Sequence, residues 1–323
     1  MKFLSTLLFL AASTITYSQG CSDAGFCTMG AMKPDQPYSK RIKVKLQSAE
    51  FSFYRGTTIL TPIIYVATAD LNFSIKGRNT FQVKLPYQAV DGRLAKTRGM
   101  GDISLCFTRN IYNSDKFNLN LSFGAKIPTN HSDKTVKAPT GEPERWPLPM
   151  YYQTSLGTYD VISGLSLINR KWLLATGIQV PLNHNNNQFV WSRWAEAESD
   201  LKAYADRYNQ AKDLRRGIDV MMRVERNFRF SKFNFSVGLL PIYRVKRDEF
   251  TKSTTTKKDA PEVRVKPVQA MGMACSALFT AGYNFDVRSG VRVLVGHKLF
   301  NRKANPDGLS RELVSSITYI YRF

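Results

Sequence analysis

The sequence predicts an all-β fold, a transmembrane antiparallel β-barrel of about 12 strands (about 12–14) with long extracellular loops and short periplasmic turns. Three observations lead to this fold class. Segments of about ten residues alternate between apolar and polar side chains, long and short connections follow one another in turn, and the chain begins with a segment typical of exported proteins.

The N-terminal segment has the pattern of a secretory signal peptide, which we assign to residues 1–18. Lys2 is followed by an apolar run at 3–12 and a small polar stretch at 13–18. We expect cleavage before Gln19, with cleavage after Gly20 as the second choice. A membrane anchor is the alternative, but a spanning helix needs about 20 apolar residues and this run has about half as many.

The alternation is clearest in the strand predicted at 116–127. Phe117 and Phe123 share one face with the apolar residues between them, whereas the intervening residues are Asn, Ser, Gly and Lys. The last predicted strand alternates in the same way up to Phe323 and collects aromatic residues at its end, as an interfacial girdle requires. The same template predicts strands at 41–53, 63–76, 79–87, 101–112, 116–127, 157–169, 171–182, 216–229, 232–244, 268–284, 287–300 and 310–323.

The connections between these strands supply an independent argument. Outer-membrane barrels alternate short periplasmic turns with longer extracellular loops. A soluble β-sandwich is the alternative, but nothing in its physics makes loop lengths alternate, and its strands usually run to about 5–6 residues. Several predicted strands reach the roughly 9–11 residues that cross a bilayer at a tilt, so we assign the barrel to 41–323. The predicted tight turns are 77–78, 113–115, 170, 230–231 and 285–286.

Strand parity also predicts which charged side chains line the lumen. One face of each strand meets lipid and the other meets the interior, so charged residues on the second face are expected inside. Both signs of charge are present there. The predicted lumen-lining residues are Asp70, Lys84, Asp102, Lys126, Asp160, Asp219, Arg223, Glu225, Arg244, Arg292 and Lys298.

The formal net charge of +21 would in a cytosolic protein suggest nucleic acid as a partner. Export removes that interpretation, and the basic residues are scattered along the chain. We therefore expect no nucleic acid partner. The expected partners are outer-membrane lipid and the phosphates of lipopolysaccharide at the barrel rims.

Four cysteines divide into two pairs of different kinds. Cys21 and Cys27 lie close together after the predicted cleavage site, and in an oxidising periplasm we expect them to form a small disulfide loop. Lipidation of Cys21 is the alternative, although Ser18 and Gln19 replace the residues a lipid-attachment box usually carries. The two other cysteines lie in different predicted strands, and we expect buried free thiols there.

Two loops have patterns of their own. The segment 192–214 carries Trp194, Ala205 and Tyr208 at helical spacing among charged residues, which predicts an amphipathic helix over or beside the barrel mouth. The loop at 128–156 is rich in proline and aromatic residues, so we expect it to be ordered and folded against the rim.

The sequence carries no recognisable catalytic or metal-binding motif, and we predict neither an enzyme nor a cofactor. The three histidines are spread over two loops and one strand. Outer-membrane phospholipases of twelve strands use a His followed two residues later by Ser. Here His297 is followed by Lys298 and Leu299, which disfavours that activity.

Four segments resemble the outer-membrane barrels of the MetA pathway of phenol degradation, which belong with the long-chain fatty-acid transporter (FadL-like) group. They are GMGDI at 99–103, LSFGAKIPT at 121–129, SLGTYD at 155–160 and IQVP at 178–181. The resemblance implies an outer-membrane channel for diffusive uptake of small hydrophobic molecules. The alternative is a non-transporting barrel that serves as a secretion-accessory or attachment component.

The resemblance also implies a plug. In such channels an N-terminal segment occupies the lumen and the solute leaves through a kink or gap in the wall. The candidate here is 19–40, which precedes the first strand and lacks strand alternation. A mobile periplasmic tail is the alternative for this segment.

Overall fold

The computed structural model describes residues 29, 32–33, 45–57, 62–75, 78–137, 145–309 and 311–323. The predicted signal peptide and the predicted Cys21–Cys27 disulfide lie outside the described residues. Of the segment 19–40, the structure describes Met29, Met32 and Lys33.

Within this part of the chain, twelve strands form a closed antiparallel ring, which confirms the predicted barrel and its strand number. Barrel strands that follow one another in the chain are hydrogen-bonded neighbours, and β1 closes the ring by pairing with β18. The ring consists of β1, β2, β3, β5, β6, β9, β10, β12, β13, β16, β17 and β18 of the following list. In chain order the strands are β1 Lys45–Thr57, β2 Pro62–Ile75, β3 Asn79–Gly92, β4 Lys96–Met100, β5 Ile103–Asn113, β6 Asn118–Ile127, β7 Thr135–Lys137, β8 Arg145–Pro147, β9 Asp160–Ile168, β10 Trp172–Pro181, β11 Lys212–Arg215, β12 Asp219–Arg229, β13 Phe233–Arg244, β14 Glu249–Ser253, β15 Glu262–Val265, β16 Gly272–Asn284, β17 Ser289–Phe300 and β18 Leu313–Arg322.

The closing seam shows why these residues form strands of a barrel. Phe53 of β1 lies opposite Ile317 of β18, and both side chains point outward with about half of their surface exposed. The next pair, Ser52 and Thr318, points inward, and the two hydroxyl oxygens are 3.0 Å apart. The period of two therefore puts apolar side chains on the lipid-facing side of the strand and hydrogen-bonding side chains on the lumen side.

Tight turns connect the strands at one end of the barrel, called here the turn end. Side chains at the turns organise their own backbone: the Asn169 Oδ1 accepts hydrogen bonds from the amides of Lys171 and Trp172. Asp286 does the same for the amides of Arg288 and Ser289. Such local bonds favour tight turns over continued strand.

An aromatic belt surrounds the turn end. Phe233 lies against Tyr283 with ring centroids 4.7 Å apart, and the Arg226 guanidinium lies 4.9 Å from the ring centre of Trp172. Arg226 faces lipid by parity, and its place beside the turns lets it reach the headgroups. Aromatic rings at the ends of the strands are typical of a barrel whose strands end at the membrane interface.

The opposite end, called here the loop end, carries the long connections. Strand β4 extends the hairpin of β3, β7 pairs with β8, and β11, β14 and β15 form a small separate sheet. These elements build an ordered layer over the barrel. Within the described residues, no helix has both the length and the apolar character needed to cross a membrane.

The prediction of one amphipathic helix over 192–214 was wrong in extent. The described helix α1 covers only Ser199–Ala205, and a 3₁₀ turn covers Trp191–Trp194. Contacts with the preceding part of the loop replace helical hydrogen bonds here: the amides of Ala211 and Asp213 donate to the carbonyls of Phe189 and Asn187, at 3.1 and 2.9 Å. The apolar positions still face inward, since Trp194, Ala205 and Tyr208 are buried.

The described residues of the loop at 128–156, namely 128–137 and 145–156, are ordered, as predicted. Trp146 packs on Trp194 of the helical segment, with ring centroids 5.1 Å apart, and the Trp194 indole N–H donates to the Pro147 carbonyl at 2.8 Å. Tyr152 and Tyr208 lie in contact beneath them, with hydroxyl oxygens 3.2 Å apart. Burial raises the pKa of Tyr152 to about 12, so the hydroxyl stays neutral and able to donate.

The position of the hydrocarbon band can be tested on β18. Ile317→Arg puts a charge on the lipid face at mid-strand and is expected to lower the free energy of unfolding by about 2–4 kcal/mol. Leu313→Arg, on the same face at the loop end, is the matched control and should cost about 0–1 kcal/mol. Urea unfolding from phospholipid vesicles measures both, and equal losses in the two variants would contradict this placement of the membrane.

Candidate functional site

The candidate site is the barrel lumen. All eleven charged side chains predicted for the lumen are buried in the structure, with no more than 8% of any residue exposed. They fall into two groups, one around the middle of the barrel and one at the loop end. The first group is Asp70, Lys84, Arg223, Glu225 and Arg292, and the second is Asp102, Lys126, Asp160, Asp219, Arg244 and Lys298.

Among the described residues, the structure adds six buried charged residues, and the half-buried Lys33, that the sequence analysis did not identify. Glu50 lies on β1 directly before the outward-facing Phe51 and two residues before the inward-facing Ser52, so strand parity could have placed it in the lumen. The other six lie outside the strands, where no period assigns a face. They are Lys33, Arg216, Asp248, Arg302, Asp307 and Arg311.

The middle group consists of ion pairs of unequal quality. The Glu50 carboxylate accepts from the Lys33 ammonium at 2.5 Å, whereas the Arg292 guanidinium is 3.7 Å away. Asp70 is held by neutral donors, since the Gln82 amide nitrogen lies 2.9 and 2.7 Å from its two oxygens. Lys84 is 3.8 Å from the same carboxylate. Direct charge-assisted bonds are about 2.7–2.9 Å long, so Lys84 and Arg292 make loose ion pairs with these carboxylates.

Described residues of the N-terminal segment lie inside the lumen. Met29 and Met32 are buried in an apolar cluster with Ile162 and Met221 of the barrel wall. The Arg223 guanidinium, which is bound to Glu225, also donates to the Met32 carbonyl at 3.1 Å. Together with the Lys33–Glu50 pair, these contacts attach the segment to β1 and β12.

At the loop end, Arg244 is the centre of a fully buried network. Its guanidinium binds Asp219 through two bonds of 2.7 and 2.6 Å, and Asp248 through two bonds of the same lengths. A further bond of 2.8 Å reaches Asp307. Asp219 belongs to a strand, whereas Asp248 and Asp307 belong to two different loops. One arginine therefore joins two loops to the wall.

Arg216 and Arg302 complete this set, which we call the loop-end ion network. Arg216 donates to Asp160 at 3.0 Å and lies 3.8 Å from Asp307. Arg302 lies 3.6 Å from Asp219 and 3.7 Å from Asp307. Buried charges are tolerated when they are paired in this way. The network consists of Arg216, Arg244, Arg302, Asp160, Asp219, Asp248 and Asp307.

The two loop carboxylates of the network differ in proton affinity. Burial would raise the pKa of Asp307, but Arg244, Arg302 and Arg216 outweigh it and hold that pKa well below its usual range. Burial raises the pKa of Asp248, and the attraction of Arg244 does not fully offset the rise. As the pH falls, Asp248 is therefore the first of these two carboxyls to take up a proton.

The segments GMGDI, LSFGAKIPT, SLGTYD and IQVP converge at the loop end of β5, β6, β9 and β10. Asp102 binds the Ser155 hydroxyl and lies 3.4 Å from Lys126. Asp160 binds Thr158 at 2.8 Å and accepts from the Gln179 amide. These polar residues thus attach the loop that precedes β9 to the barrel wall.

The wall has an interruption between β4 and β5 at Gly101 and Asp102. The ladder between β3 and β5 ends at Lys84 opposite Ser104, and β3 pairs with β4 from Tyr87 onward. Proline 86 of β3 falls between the two ladders, where it lacks an amide to donate. The Gly101 amide donates to the Pro86 carbonyl at 2.8 Å, so the strands remain in contact at this kink.

Two cavities lie inside the barrel, one central and one at the loop end. The central cavity has a volume of about 90 Å³ and is lined by Lys33, Glu50 and the middle charged group except Glu225, together with apolar residues of β13, β16, β17 and β18. The loop-end cavity has a volume of about 70 Å³ and lies on the side of β1, β2 and β3, where Asp102, Lys126 and Arg311 line it, among others. Tyr54 and Lys84 line both cavities, so these two side chains lie where the cavities adjoin.

No protein-family model and no curated protein sequence matches this chain. Among solved structures, the COG4313 outer membrane channel from Pseudomonas putida F1 aligns with a TM-score of 0.58 and 11% identity, over 89% of this chain and 99% of that chain. The KdgM porin aligns with a TM-score of 0.42 and 7% identity over 85% and 99%. The NanC porin aligns with a TM-score of 0.43 and 7% identity over 86% and 98%.

The first of these similarities supports the fold, and the chain is an outer-membrane β-barrel. The KdgM and NanC alignments are too weak to add to that assignment. His297 lies on the exposed face of β17. Among the described residues, no group of three or more His, Cys, Asp or Glu side chains is arranged to hold a metal ion.

The loop-end ion network is testable through its central arginine. Arg244→Met leaves three buried carboxylates without their main partner and is expected to lower the free energy of unfolding by about 3–5 kcal/mol. The loop at 245–271 should then be cleaved faster by trypsin. Lys246→Met, which removes an exposed charge two residues away, is the control. Unchanged protease resistance and stability in Arg244→Met would show that the network does not hold the loops.

Proposed function

We propose that this protein is an outer-membrane channel for diffusive uptake of small hydrophobic molecules, of the kind found in the FadL-like group and the MetA-pathway barrels. The observation that carries the proposal is the pair of adjoining cavities inside the barrel. A barrel of about 8 strands is filled by its own side chains, and one of about 16 holds a water channel. A barrel of twelve strands whose lumen keeps two cavities is expected to admit small solutes.

The proposed path begins at the loop end and passes the loop-end cavity, the Tyr54 and Lys84 side chains, and the central cavity. The loop-end ion network occupies the opposite side of the lumen, where loops and strands are joined by buried charge pairs. At the loop end, passage is thereby directed to the side formed by β1, β2 and β3, whereas the central cavity is also lined by β12, β13, β16, β17 and β18.

The N-terminal segment 19–40 is proposed as the plug of this channel. Its support is the position of Met29, Met32 and Lys33 inside the lumen, where they contact both the wall and the charged residues of the central cavity. Lys33 itself lines that cavity. A solute that crosses the barrel must therefore pass or displace this segment.

Uptake by whole cells tests the function directly. A Gram-negative host that produces the protein should take up a fluorescent naphthylamine probe several-fold faster than a host that produces the empty vector, because its own outer membrane resists such solutes. Swelling of proteoliposomes in small neutral sugars provides a second measure of the pore. No permeation in either assay, together with a partner protein that co-purifies, would favour the secretion-accessory or attachment role.

The plug is tested by deleting residues 21–37. We expect a higher single-channel conductance, because the deletion removes the Met29 and Met32 packing and the Lys33 charge from the lumen. Lys33→Arg keeps the charge next to Glu50 and should conduct like the unmodified protein. If the deletion changes neither conductance nor solute uptake, segment 19–40 is not a plug.

A further inference from the structure

Another cavity, called here the surface groove, lies at the loop end and is open to the outside. Its walls come from the connections that follow β6 and β10, from the connection that precedes β9, and from β11. The groove has a volume of about 440 Å³, within the range of about 300–1,000 Å³ that is usual for ligand sites. Among the described residues, it shares no lining residue with the two cavities inside the barrel, so it is a separate site.

Hydrogen bonds between the connections fix the walls of the surface groove. The Asn186 Oδ1 accepts from the amide and the hydroxyl of Ser132, at 3.1 and 3.2 Å. The Asn183 Oδ1 accepts from the Tyr159 amide at 2.8 Å. The segment 183–186 is thereby joined to both neighbouring connections, and the shape of the groove is largely preformed, as in most small-molecule sites.

Several side chains of the surface groove are accessible to a ligand. Tyr159 lies on the same outward face of the wall as Val161, and 52% of its surface is exposed. His131, His184 and Asn186 are exposed as well. Within the described part of the chain, the two imidazoles and the Asn186 amide nitrogen make no hydrogen bond. The groove therefore offers an aromatic ring together with donors and acceptors that a ligand can use.

The charge of the surface groove differs from that of the chain as a whole. The chain contains 46 lysine and arginine residues, yet none of the described residues that line the groove is one of them. One carboxylate, that of Asp213, is present. The Asp213 backbone is held from both sides, because its amide donates to the Asn187 carbonyl at 2.9 Å and its carbonyl accepts from Arg264 at 3.0 Å. A phosphate or carboxylate would find no lysine or arginine to pair with, so anionic ligands do not suit the groove.

A neutral sugar has the chemistry that these side chains require. Each sugar hydroxyl both donates and accepts, as asparagine amides and histidine imidazoles also do. One face of a sugar ring carries mainly C–H groups, and it can lie flat on an aromatic ring such as that of Tyr159.

We propose that the surface groove binds a ring of a neutral hexose. The apolar face of the sugar packs on Tyr159, and its hydroxyls bond with His131, His184 and Asn186. The sugar belongs either to the lipopolysaccharide that surrounds the barrel or to a soluble oligosaccharide, because both present the same kind of ring. The inference goes beyond the proposed channel, since the residues of the lumen cavities take no part in it.

The first experiment measures sugar binding to the full-length protein in a detergent that has no sugar headgroup. The probes are methyl glucoside, methyl galactoside and methyl mannoside, together with sorbitol, which has the hydroxyls without the ring. Saturation-transfer NMR measures the affinity for each probe. At least one hexoside should bind about tenfold more tightly than sorbitol, because only a ring can lie flat on Tyr159. If no hexoside binds more tightly than sorbitol, the groove is not a sugar site.

Variants locate the binding. Tyr159→Ala should weaken the preferred hexoside about tenfold, and His184→Ala should weaken it several-fold through the loss of one hydrogen bond. Tyr243→Ala and His297→Ala are the matched controls, because both residues are exposed on the outer faces of other strands, β13 and β17. Both controls should bind the hexoside like the unmodified protein, and all four variants should keep its far-UV circular dichroism spectrum. Hexoside binding that neither Tyr159→Ala nor His184→Ala weakens would overturn the site.

Lipopolysaccharide that stays bound during purification distinguishes the two sources of the sugar. Both proteins are purified from a host with a complete lipopolysaccharide core. If the sugar belongs to the membrane, the Tyr159→Ala protein should retain several-fold less lipopolysaccharide than the Tyr243→Ala protein. If the two retain equal amounts while the unmodified protein binds the hexoside, the ligand is a soluble oligosaccharide. Either result supports the groove as a sugar site and identifies the source.

Discussion

The structure depends on one constraint: in hydrocarbon, every backbone amide and carbonyl must find its partner within the protein. Strands satisfy this only when the sheet has no free edge. Here the first strand meets the last over ten residue pairs, from Ser48 with Arg322 to Thr57 with Leu313. Once the ring is closed, each strand has a fixed inner and outer face, and the distribution of side chains follows from the period of two.

Closure also explains why so many charges are buried. A ring of this size encloses too little space for a wide water channel, yet half of each strand must point inward. The inward charges have to pair, and Arg244 with its three carboxylates is the most complete case. Such pairing offsets desolvation without adding much stability of its own. Its structural effect is to hold two loops, through Asp248 and Asp307, against the strand ends.

The segments in which apolar and polar side chains alternate with a period of two could be predicted from the sequence. The other segments could not. All twelve barrel strands were predicted within a few residues, because alternation persists over their whole length. The helix at 192–214 was predicted too long, since the amides of Ala211 and Asp213 donate to the carbonyls of Phe189 and Asn187 and not to carbonyls one helical turn back. The sequence predicted three of the seven residues of the loop-end ion network, because Asp160, Asp219 and Arg244 follow strand parity. The other four lie in loops, where parity does not apply: Arg216, Arg302, Asp248 and Asp307. The cavities could not be predicted from the sequence, because a cavity depends on how side chains from different strands pack against each other.

The two sides of the lumen differ in how firmly their parts are held. Displacing a loop on the network side would separate several buried charge pairs at once, which is costly in a low-dielectric interior. The described N-terminal residues make fewer strong contacts than the loops of the ion network. Their contacts are one ion pair at Lys33, one hydrogen bond from Arg223 to the Met32 carbonyl, and the packing of two methionines. Methionine side chains are flexible and repack at little cost. In addition, Arg292 remains beside Glu50 to balance its charge if Lys33 leaves. Met29, Met32 and Lys33 are therefore held more weakly in the lumen than the two loops that the ion network attaches to the barrel.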